Sequence, residues 1–87
     1  MTVFVVIPTG LHEVLEHSIK SKFPAAHKKL LNGEWLVSFP GTALELSNEL
    51  GITPDGAGGL GMVLAITSYY GRAPTDVWEW IQTRWEK

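Results

Sequence analysis

Cysteine is absent from this chain. That excludes disulfides, thiol nucleophiles and cysteine-ligated metals, so the fold must hold by packing, with self-association as a further aid. Charge is sparse, with seven Lys and Arg against nine Asp and Glu and a net charge of −2. Nucleic-acid binding needs a much stronger positive field, and the one basic gathering, at Lys20, Lys22, Lys28 and Lys29, does not supply it. Long apolar runs are missing as well: none approaches the roughly 20 residues of a membrane span. The N-terminus lacks the basic start and small-residue cleavage site of a signal peptide, so a cytoplasmic protein is the expectation. What is present is an 87-residue chain that is 45% hydrophobic and carries four tryptophans. This is enough for one domain over residues 1–87 and too little for two.

Residues 2–7 form an apolar, β-branched run stopped by Pro8, which reads as a strand buried on both faces. Thr9 is placed to cap a helix whose apolar positions include Leu11, Val14, Leu15 and Ile19, and Pro24 ends it. A lysine-rich arm, residues 27–31, meets Asn32-Gly33 and then the apolar arm 34–39. Asn-Gly between two β-capable runs predicts a tight hairpin with both turn residues at positive φ. The lysine-rich arm suits a sheet edge, where charge discourages stray pairing. Pro40-Gly41 breaks the second arm, and Thr42-Ala43-Leu44-Glu45 has the form of a capping box. Leu46 and Leu50 continue that helix and Gly51 ends it. A turn-rich loop over 53–61 leads to a strand over 62–70, and Thr75 is placed to cap a last helix.

The resulting order, β-α-β-β-α-β-α, predicts an α+β fold: the ferredoxin-like split βαβ arrangement with an added C-terminal helix. This analogy of element order carries no function. In that arrangement the first strand and residues 34–39 are central, and one sheet face would lie open. Yet Phe4 and Val6 alternate with Val3, Val5 and Ile7, and Met62, Leu64 and Ile66 with Val63 and Ala65. Both faces of the first and last strands are thus apolar, so the second face needs a cover. Val77, Trp78, Ile81 and Trp85 form a helical stripe that could supply it, and a second copy of the chain is the other candidate. Trp80 lies off the stripe with Arg84 four residues on, a spacing that allows a cation–aromatic stack. Trp80, Arg84 and an outward-facing Trp35 are therefore the candidate interaction surface.

The candidate chemistry is thin. Two predicted helix starts, at Gly41-Thr42 and before Thr75, would fall at one end of the sheet with Arg72 beside the second. Backbone amides, helix dipoles and a guanidinium would make a small-anion site, to which Tyr70 and its neighbours could add hydroxyls. The bland alternative is that Gly41, Thr42 and Thr75 only cap helices and Arg72 pairs with Asp76. Residues 56–61 spell G-x-G-x-x-G, but after a helix and before a strand, the reverse of the dinucleotide-binding context. His12 and His17 are five apart, roughly 140° around a helix, so they diverge and propose no metal site. No serine sits in a nucleophile-elbow context. Acylphosphatase-type activity would need an arginine where this chain has Pro8-Thr9-Gly10, and an RNA-stacking platform would need a Lys/Arg-Gly-Phe pattern that is missing. The expectation is a non-catalytic interaction or regulatory domain without cofactor or metal, with a homodimer or protein partner. A small-anion-binding domain is the alternative.

Overall fold

The computed structural model describes residues 1–54 and 59–85. Among them are a four-stranded antiparallel sheet and three helices, in the order β1 (Thr2–Gly10), α1 (His12–Lys22), β2 (His27–Lys29), β3 (Trp35–Phe39), α2 (Ala43–Glu49), β4 (Leu60–Ala65) and α3 (Thr75–Arg84). The sheet order is β2-β3-β1-β4, with each neighbouring pair antiparallel. The two apolar runs 2–10 and 35–39 are thus central, and the lysine-bearing β2 is one edge.

Alternation along β1 sorts the core into two layers. Phe4 and Val6 join Trp35 and Val37 on one face, where Leu15 and Ile19 of α1 and Leu46 and Leu50 of α2 close over them. Phe39 meets Phe4 and Phe23 edge-on at the margin of this layer. Val3 and Leu36 point to the other face and pack with Ile81 of α3, flanked by Val77, Trp78 and Trp85. The predicted stripe therefore covers the second sheet face within the same chain. It does not cover all of it: along β4, Leu60, Met62 and Leu64 remain 55%, 54% and 40% exposed.

Several local expectations are corrected. Thr9 does not cap α1; β1 continues through Pro8 to Gly10. Pro8 is tolerated because β3 begins opposite Val6, and the proline's missing N–H falls on the side that β3 does not reach. Leu11 instead takes the N-cap position in a left-handed conformation, φ 49°, with no side-chain cap. Residues 30–34 do not make a two-residue turn. Leu30 N–H donates to Glu34 O and Gly33 N–H to Leu30 O, and Gly33 alone in that stretch has positive φ, 99°. The last strand is residues 60–65, not 62–70, because Tyr69 leaves the sheet to stack on Trp78 at 5.5 Å. Pro74, not Thr75, occupies the N-cap of α3, again without a side-chain cap. The capping box at Thr42 and Glu45 is present as read. Of the Gly-rich stretch, residues 56–58 lie outside the described residues.

Candidate functional site

The predicted anion site depended on two helix starts sharing one end of the sheet. Gly41-Thr42 follow Phe39, whose register partner is Thr2. Arg72, Ala73 and Pro74 instead line a groove with Leu30, Asn32 and Glu34 of the β2–β3 connection. That connection lies at the opposite end, next to Trp35, which pairs with Val6. The reason is the segment between β4 and α3: it returns the chain to the end of the sheet at which β4 started, so α3 begins there and not at the end where β3 and β4 finish. Gly41 and Thr42 are not brought together with Arg72, Tyr70 and Thr75.

Each helix start also already holds a carboxylate. Glu45 N–H donates to Thr42 Oγ1 at 3.1 Å, and Thr42 N–H donates to Glu45 Oε1 at 2.9 Å. Gly41 is glycine for a steric reason: a Cβ there would sit 2.6 Å from the Phe39 ring and 2.8 Å from Glu45 Oε1. At α3, Asp76 accepts from Lys28 across the molecule, so Arg72 is not its partner. The Lys28 ammonium, with help from the helix amides, holds the Asp76 carboxyl below its ordinary range. Arg72 and Tyr70 are exposed, Tyr70 fully. Among the described residues, Arg72 makes no hydrogen bond or ion pair. It stands at the mouth of a groove of about 330 Å³ whose walls include Leu36, Val77, Trp78 and Ile81.

The aromatic candidates divide. Trp80 is half-buried beside the second core layer, with the Arg84 guanidinium 4.4 Å from its ring centroid, the stack that the spacing allowed. Arg84 also donates to Ala25 O at 3.3 Å, which ties α3 to the α1–β2 connection. Trp35 is a correction. It is 2% exposed, sealed in the first core layer, with the His27 ring 5.6 Å from its own and Lys29 Nζ 5.4 Å from its centroid. It points inward because its strand neighbours Val37 and Phe39 share that face, so it offers no outer surface. On α1, His12 and His17 are exposed, and Glu16 is held by Lys20 at 2.8 Å and Lys29 at 3.3 Å. Both lysines keep the Glu16 carboxyl below its ordinary range.

The surface that the candidate residues missed is β4. Its outer edge has no strand neighbour among the described residues, and its exposed row Leu60, Met62, Leu64 lies beside Ile7 and Val5, their register partners Met62↔Ile7 and Leu64↔Val5. The signal was in the sequence: no charged residue occurs from Gly56 to Gly71. Comparison with protein-family models, curated proteins and solved structures finds no match.

Proposed function

We propose that this chain is a small non-catalytic interaction domain, built on the ferredoxin-like split βαβ arrangement with α3 added over the second sheet face. The sheet order β2-β3-β1-β4, antiparallel throughout, supports that arrangement. One observation carries the functional reading: an apolar row on an edge strand that carries no charge. Edge strands are ordinarily shielded by charge, proline or a covering element, and an unshielded apolar edge is a place where another chain docks. Trp80 and Arg84 lie on another element and serve to anchor α3 to its neighbours.

A second reading has its own observation. Arg72, without a partner among the described residues, stands over an apolar groove and could hold a small apolar carboxylate or phosphate ester. Glu34 lines the same groove and opposes an anion there. An amide-resolved NMR titration with phosphates, nucleotides and carboxylates separates the two. The interaction reading expects no saturable shifts over residues 72–75. Saturable shifts there, abolished by Arg72→Ala, would replace it with the small-anion domain.

A further inference from the structure

The interaction reading leaves open what docks on β4, and the strand's own geometry answers it. Ile66 N–H donates to Val3 O, so the even-numbered residues of β4 turn their backbone groups toward β1. The odd-numbered residues, Gly61, Val63 and Ala65, therefore aim their N–H and C=O groups at the open edge. A strand added there in antiparallel sense must pair odd residues with odd ones. When the added strand is β4 of a second copy, that rule allows a two-fold axis through Met62. Gly61 of each copy then exchanges backbone hydrogen bonds with Val63 of the other. Met62 faces Met62 in a non-hydrogen-bonded pair, and Leu60 of each copy faces Leu64 of the other. Centring the axis on Val63 or Leu64 instead leaves Leu60 without an apolar counterpart from the exposed row.

We infer that β4 is the contact between two copies of this chain, paired antiparallel about Met62 into a continuous eight-stranded sheet. This rests on the interaction reading above and names its partner. Charge selects the second copy over an unrelated chain. The sequence is uncharged from Gly56 to Gly71, so two such edges meet without repulsion and offer nothing to attract an acidic or basic peptide. The opposite edge could not do the same: β2 would set Lys28 and Lys29 against themselves. The interface is one strand edge and one half-exposed side-chain row per copy. That falls near or below the roughly 1,000 Å² at which stable interfaces begin. The dimer should accordingly be reversible, with a micromolar rather than nanomolar Kd.

The lack of cysteine makes the pairing directly testable. Cross-strand residues in a non-hydrogen-bonded pair lie close enough for a disulfide. Met62→Cys should be trapped as a disulfide dimer under mild oxidation, with Lys29→Cys on the far edge as the control that stays monomeric. By sedimentation equilibrium the unmodified protein should show a monomer–dimer equilibrium. Met62→Asp, at an exposed position that leaves folding intact, should raise its Kd by about tenfold or more, because two carboxylates would face each other. A protein that stays monomeric to millimolar concentration would overturn the second-copy inference and leave the interaction reading to the titration above. A dimer weakened by Met62→Asp but trapped better by Leu64→Cys than by Met62→Cys would overturn the register alone. A dimer indifferent to Met62→Asp would overturn both the inference and the choice of β4 as the working surface.

Discussion

At one edge of the sheet β2 presents three residues, His27, Lys28 and Lys29; at the other β4 presents six, none of them charged. The first edge is tied down from several sides. Lys28 pairs with Asp76 of α3, Lys29 reaches Glu16 of α1, and the His27 Nδ1 is 2.6 Å from Phe23 O. Among the described residues the second edge pairs with β1 alone, and from within it rests on α2 and, through Val63, on the first core layer. The lesson is that this chain shields one edge with charge and brevity while leaving the other long, apolar and bare. A fold that merely needed to avoid aggregation would treat both alike.

The comparison breaks most completely at Trp35. Its ring supports the shielded edge from beneath, touching His27 and Lys29, while also filling the first core layer. Trp35→Ala should cost about 3–5 kcal/mol in urea unfolding, and amide exchange should show β2 losing protection before β4 does. A cost below about 1 kcal/mol would mean that β2 does not depend on this ring.

A second substitution tests the division within one sheet face, between the part that α3 covers and the part it leaves to β4. Ile81 is 3% exposed against Val3 and Leu36. Ile81→Ala should lose about 2–5 kcal/mol and expose tryptophan fluorescence to quenchers as α3 loosens. Met62, on the uncovered part, should change association instead of stability, so the two positions should separate cleanly in paired unfolding and sedimentation measurements.

The smallest effect belongs to the ion pairs of the shielded edge. The folded-state pKa of Asp76 is depressed by Lys28, so the pair contributes stability above the ordinary carboxylate range and loses it as pH falls through the lowered value. The stability difference between the wild type and Asp76→Asn should therefore be present at neutral pH and vanish in acid. Glu16 follows the same sign through Lys20 and Lys29. Both carboxylates lie at the surface, so added salt should shrink the effect further. A difference that grew on acidification would exclude the pairing as its source.

Much of this was legible along the chain, because the signals were local. The β-branched run of β1, the helical spacing of Leu15 and Ile19, the capping box at Thr42 and Glu45, and the apolar stripe of α3 each concern residues a few positions apart. The errors fell where the backbone had a choice that neighbours decided. Thr9 stayed in β1 because β4 was there to pair with Pro8 and Gly10. Tyr69 left the sheet because Trp78 and Trp85 offered it a stacked and an edge-on contact, at 5.5 and 4.8 Å.

The sequence by itself determined the inventory: which runs become strands or helices, which residues are apolar enough for two core layers, and which sheet edge would be charged. Periodicity and composition carry that much, since each depends on side chains within a turn or two of one another. Only the tertiary structure decided how those elements face one another. It turned Trp35 inward, set the starts of α2 and α3 at opposite ends of the sheet, and led α3 over Val3 and Leu36 while leaving Met62 bare. The physical reason is width: α3 runs along the strands, from the Arg72–Pro74 end of the sheet to Trp85 beside Thr2 and Val3. A helix about 10 Å across cannot cover four strands set about 4.8 Å apart.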